Sequence, residues 1–194
     1  MHMATPSDSL HRLQPVLPLL FDGLQYGLDK ATQEHNRDDL RRRTDPLYFS
    51  YGARRHASEY LMQQGLLVTD VDGEKSALQM SGLQVQHNGS LLWIFRAKDE
   101  VPVPGHSTRK RNFYAQQDNL LGWDNLLLLW NDNDGVLADP MYLVRPTGGD
   151  HRRRNLTTDW SVPITREIGS MRVEDLALVK PDYHAVKFAV PLTA

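Results

Sequence analysis

The chain has 194 residues, a net charge of −2 and no cysteine. That length suits one domain, or a small domain with an extension, and is enough to bury a core without a staple. The lack of cysteine excludes disulfides, thiolate metal sites and cysteine nucleophiles, and it fits a cytoplasmic protein. No stretch approaches 18 apolar residues, so no transmembrane helix and no membrane partner is expected.

Leu13, Leu17, Leu20, Leu24 and Leu28 recur at helical spacing, which predicts an amphipathic helix from about Pro15 or Pro18 to His35. A second helix has clear punctuation: Asp45 as N-cap, Pro46 at the first position and Gly65 just past the end. Its buried stripe is predicted as Leu47, Tyr51, Ala57 or Tyr60, and Leu61. Strands follow at 66–69 and 77–86. His87-Asn88-Gly89-Ser90 then supplies an Asn-Gly hairpin turn into Leu91–Lys98, a run apolar on both faces and so expected to be central.

Ser107 reads as the N-cap of a helix running to Gln117, with Arg109, Lys110 and Arg111 in its first turn. A helix N-terminus already carries partial positive charge, so these cations call for something negative to offset them. Asn125–Trp130 is a second two-sided apolar strand, and a turn at 133–135 leads to a strand near Met141–Val144. Residues 147–155 read as an exposed basic loop, followed by a strand at 158–164 and a short element at 174–179. The order of elements predicts an α+β fold in which N-terminal helices precede a largely antiparallel sheet, with a helix inserted between hairpins. The expected organisation is an N-terminal helical segment (1–44), an α+β core (45–170) and a C-terminal extension (171–194).

Half of the 22 basic residues fall in four clusters: Arg41-Arg42-Arg43, Arg54-Arg55, Arg109-Lys110-Arg111 and Arg152-Arg153-Arg154. Catalytic patterns fail one after another. A restriction-type metal nuclease needs an acid two residues before a lysine on a central strand, and Arg96-Ala97-Lys98 has arginine there. Gly105-His106-Ser107-Thr108-Arg109 lacks the second glycine of a nucleophile elbow. Aligned as a calcium loop on Gly135, the stretch around Asn131–Gly135 would put Trp130 and Met141 at ligand positions. No histidine lies in a metal pattern, no phosphate-binding glycine motif is present, and no cofactor is implied.

The leading expectation is an accessory or regulatory protein that binds nucleic acid or another phosphate-bearing partner. The candidate residues are Ser107, Arg109, Lys110, Arg111 and Tyr114, with Arg54, Arg55, Arg152, Arg153 and Arg154 extending the surface. Tyr114 is expected to donate a hydrogen bond or stack on a base. The alternatives are an interaction module whose arginines engage an acidic protein surface, and a divergent nuclease-like enzyme. A competing expectation is that Glu59, Asp99, Glu100 or Asp118 pair with these arginines internally. Trp93 and Trp130 are expected in the core; Trp123 and Trp160 are the candidate interface anchors.

Overall fold

The computed structural model describes residues 5–37, 46–68, 83–97, 107–116, 123–150, 155–171 and 175. The helices are α1 (Pro6–Leu13), α2 (Leu17–Arg37), α3 (Pro46–Gln63), α4 (Thr108–Tyr114) and α5 (Arg166–Ser170). The strands are β1 (Leu67–Val68), β2 (Leu83–His87), β3 (Ser90–Arg96), β4 (Asp124–Trp130), β5 (Asp132–Asn133), β6 (Val136–Leu137), β7 (Met141–Asp150) and β8 (Asn155–Ile164). Six of them form one sheet in the order β1-β2-β3-β4-β7-β8, while β5 and β6 form a small separate hairpin. The fold is α+β, as the order of elements predicts.

The N-terminal region holds two helices where the leucine spacing predicts one. Thr5 caps α1 through a capping box: its hydroxyl accepts from Asp8 N–H, and its own N–H donates to the Asp8 carboxylate. Pro6 then starts the helix with a fixed φ. Pro15 falls in the connection and Pro18 in the first turn of α2, so both prolines punctuate rather than break.

In α3, Pro46 and Gly65 stand at the ends, Gly65 with φ +81°. The buried stripe is shifted from the one predicted. Leu47 is 71% exposed and Tyr51 38%, whereas Phe49, Gly52, Ala53, Ala57, Ser58 and Leu61 face inward. Small residues hold this seam because α2 comes very close. A Cβ at Gly27 would lie 2.1 Å from the Ala53 carbonyl oxygen, and one at Gly23 would lie 2.9 Å from Leu61. His56 clamps the two helices further, its Nε2 lying 2.8 Å from Glu34.

Asn88 and Gly89, both at positive φ, turn β2 into β3, with His87 opposite Ser90. β3 and β4 then pair in parallel, Leu92 with Leu126 and Ile94 with Leu128, so α4 lies in a crossover between parallel strands. All other pairings in the sheet are antiparallel. β7 and β8 continue well past the predicted strand ends. Thr147–Asp150 and Asn155 belong to their hairpin rather than to a basic loop, and Pro146 sits at a register irregularity. Arg152, Arg153 and Arg154 lie outside the described residues, as do Arg41–Arg43, residues 77–82 of the strand predicted at 77–86, and all but residue 175 of the element predicted at 174–179.

Alternation along the strands fills both faces. Leu92, Ile94, Leu126, Leu128, Trp130, Leu143, Val162 and Ile164 pack with α1, α2 and α3 in the larger core. Trp93, Ala97, Leu127, Leu129 and Val144 pack with Phe113 and Tyr114 of α4 on the opposite face. Trp160 is fully buried in the larger core and is not an interface anchor. At the start of β4, Arg12, Asp124, Arg145 and Asp159 form a chain of ion pairs that ties α1 to β4, β7 and β8.

A cationic site at the ends of the parallel strands

α4 is anchored at its C-terminal end. Gln116, at φ +58°, donates to the carbonyls of Asn125 and Pro146 and accepts from Asn125 N–H. Asn125 Nδ2 donates back to Phe113 O. These bonds occupy backbone groups where β4 and β7 part, and they fix which helical face meets the sheet. At the other end the Ser107 hydroxyl accepts from Lys110 N–H at 3.4 Å, the N-cap role predicted for it.

With α4 so placed, Lys110 lies across the sheet, its Nζ 5.2 Å from the Phe95 ring centroid and 5.5 Å from that of Trp93. The next residue of β3, Arg96, points to the opposite face. There it donates to Ser50 Oγ of α3 at 2.8 Å and pairs with the buried Asp132. Arg54, one turn further along α3, donates to the Ser50 carbonyl at 3.2 Å. Ser50 therefore links Arg54 to the end of β3, whose neighbouring residue Phe95 carries Lys110. Both Arg54 and Lys110 are half-buried, and neither has a carboxylate partner among the described residues.

The electrostatics follow from that placement. Burial pushes the Lys110 pKa below the usual lysine range, and the nearby positive charge of Arg54 pushes it further the same way. Burial likewise lowers the Arg54 pKa, partly opposed by Tyr51. Trp130 Nε1, on β4 beside Arg96, is buried without a hydrogen-bond partner among the described residues. The ends of adjacent parallel strands are a recurrent place for ligands in sheets with crossover helices.

The remaining candidates separate from this site. Arg55 is exposed and pairs with Glu59 at 3.2 Å, one of the internal pairings weighed as a competing expectation. Arg111 is exposed and donates to Thr108 Oγ1, and Arg109 is half-buried within α4. Tyr114 is 0% exposed and packs beside Phe113, with burial pushing its phenol pKa up, so it has no free ring face for a base. Asp99, Glu100 and Asp118 lie outside the described residues. Tyr51, predicted to be buried, instead stands exposed one turn before Arg54. The signal for it was the i, i+3 spacing to Arg54.

A stability prediction distinguishes a held charge from a supporting one. A lysine whose folded pKa is depressed disfavours folding while charged, and this penalty is relieved as pH rises from the depressed value toward the ordinary 10.5. Lys110→Met keeps an aliphatic stem on Trp93 and Phe95 but removes the charge. Its melting temperature at neutral pH is expected to equal or exceed that of the parent. The parent, unlike the variant, should gain stability as pH rises through the window below 10.5. A fall of more than about 4 °C in thermal melts at neutral pH, equivalent to a lost interaction of about 1–2 kcal/mol, contradicts this account.

No family model, curated protein or solved structure matches the chain. The structure is an α+β domain with a mixed sheet, with Arg54 of α3 and Lys110 of α4 half-buried on either side of the end of β3. Among the described residues, no helix is long and apolar enough to cross a membrane, and no group of three histidines or carboxylates lies together to hold a metal.

Proposed function

We propose that the chain is a cytoplasmic accessory or regulatory protein that binds nucleic acid or another phosphate-bearing partner, with Arg54 and Lys110 as the central contacts. One observation carries this reading: Arg54 of α3 and Lys110 of α4 flank the end of β3, each half-buried and without a carboxylate partner among the described residues. Holding cations in this way disfavours the folded state on its own, and an incoming anion offsets that. The exposed ring of Tyr51, one turn from Arg54, adds a face on which a base can stack.

The test is binding of fluorescent DNA and RNA oligonucleotides at two salt concentrations, with the parent and with Arg54→Ala/Lys110→Ala. Affinity for at least one probe is expected to fall steeply with salt, as phosphate contacts require. The double variant should bind at least about tenfold more weakly at low salt. Binding that ignores both salt and the substitutions would sink the proposal.

A further inference from the structure

Large and small residues are distributed on α3 in the reverse of the usual sense. Gly52, Ala53 and Ala57 meet α2, whereas Leu47, Tyr48, Tyr51 and Met62 stand exposed. The other large apolar residues exposed among the described ones are only Tyr26 and Val136, so this kind of surface is concentrated on one helix. Single exposed apolar residues are ordinary, but several along one helical face mark an interaction surface.

The order of residues on that face is informative. Tyr48, Tyr51, Arg55, Glu59 and Met62 follow one another at intervals of three, four, four and three positions, so all five share one side of the helix. These intervals are those of a coiled-coil seam, and they read the same from either end with Arg55 at the midpoint. Apolar residues lie at both ends, and the ion pair Arg55–Glu59 lies between them. A two-fold dimer sets one surface against itself and therefore requires self-complementarity of this kind.

We propose that the outer face of α3 is a self-association surface, occupied by α3 of a second copy of this chain running antiparallel about a two-fold axis beside Arg55. In that register Tyr48 lies over Met62 of the partner subunit, and Tyr51 lies over the partner subunit's Glu59 and donates its phenol proton to the carboxylate. The two Arg55 guanidiniums meet near the axis, and the two Glu59 carboxylates answer them. Each Arg55 already holds the Glu59 of its own helix at 3.2 Å. Two cations and two anions thus close into a neutral cluster. A purely acidic or purely basic partner would leave one sign unanswered, so charge complementarity favours a second copy. An 18-residue helix is only about 27 Å long, which places the dimer among weak, concentration-dependent ones. The proposal does not depend on anion binding, but it covers Tyr51, so a base stacked on that ring and the second copy exclude each other.

The experiment is sedimentation of the full chain over a series from about 1 to about 300 μM, the range suited to a small interface. The average mass is expected to rise with concentration from that of the monomer toward twice that value. Met62→Asp sets a charge against the rings, while Arg55→Glu and Glu59→Arg gather four like charges at the axis. Each should weaken association at least about tenfold. An equimolar mixture of the Arg55→Glu and Glu59→Arg chains pairs two anions with two cations and should restore the dimer that neither forms alone. A parent chain that stays monomeric throughout overturns the proposal and leaves the face to a different partner. Dimers indifferent to all three substitutions overturn it by placing the interface elsewhere, and a mixture that fails to recover overturns the antiparallel register. The parent series requires no variant, so it stands even if a substitution disturbs folding.

Discussion

Asp124→Ala is expected to destabilise the fold by about 3–5 kcal/mol, the usual result when one partner of a buried ion pair is removed. Asp124 is 6% exposed and accepts from Arg12 at 3.1 Å and from Arg145 at 3.4 Å. Without it Arg145, itself 8% exposed, keeps only Asp159 among the described residues, and Arg12 loses its acidic partner on the sheet. The effect should appear as a fall of about 10 °C in melting temperature for a chain of this size. Asp124→Asn should lie between, because the amide oxygen still accepts one bond but carries no charge. Replacing Asp124 and Arg145 together with apolar residues should recover part of the loss, since the damage comes from the stranded charge. Denaturant titration measures all three variants. A loss below about 1 kcal/mol for Asp124→Ala would mean that the chain of ion pairs is solvated and contributes no more than an ordinary surface pair.

Gly27→Ala and Gly52→Ala are expected to act in opposite directions, although both replace a helical glycine on the α2–α3 seam. At Gly27 the new Cβ meets the Ala53 carbonyl oxygen at 2.1 Å and the Ala57 nitrogen at 3.0 Å. These are backbone atoms, so relief requires the helices to separate along their whole contact. Overpacking of this kind costs about 1–3 kcal/mol and sometimes more, against a gain of about 1 kcal/mol in helix propensity. A net loss of about 2 kcal/mol is expected. At Gly52 the nearest atoms are Ala31 Cβ and a Glu34 oxygen, both at 3.6 Å, which is ordinary contact. Gly52→Ala should therefore stabilise by about 0.5–1 kcal/mol through reduced backbone freedom in the unfolded chain. Paired denaturation curves check this, and a stabilising Gly27→Ala would show that α2 and α3 pack less closely than described.

Those two glycines also explain where the sequence misled. Of the stripe predicted for α3, Ala57 and Leu61 are buried, while the bulky Leu47 and Tyr51 of its first half face outward. The actual seam selects for close approach, and so it runs through Gly52, Ala53 and Ala57 against Gly23 and Gly27. Local chemistry was read more successfully. Asn88-Gly89 imposes its hairpin, Pro46 and Gly65 stand at the ends of α3, Ser107 caps α4, and the two-sided apolar runs occupy the sheet interior. Each of these is decided by residues within a few positions of one another. Strand order is not, and nothing in the run Leu126–Trp130 says that it lies parallel to β3.

The candidate site divides along the same line. Lys110 and Tyr114 are four residues apart and share a helical face, but whether that face meets water or the sheet depends on Gln116 and Asn125 anchoring α4. Arg54 and Lys110 are 56 positions apart, and only the tertiary fold sets both at the end of β3. Arg55, adjacent to Arg54 in the sequence, points to solvent and to Glu59. A cluster of basic letters is thus a poor guide to which of them act together.

The parallel ladder between β3 and β4 also bears on how the molecule assembles. β2–β3 and β7–β8 are hairpins built from short-range contacts that each form on their own timescale. β3 and β4 cannot register until the whole intervening segment, 97–123, has closed and set α4 on the sheet. The centre of the sheet is therefore expected to form after the two hairpins, with closure of that segment adding to the folding barrier. Lys110 rides on that segment, in α4. Its ammonium therefore reaches the Trp93 and Phe95 rings only once α4 is set on the sheet, which makes those two contacts a reporter of the closed crossover.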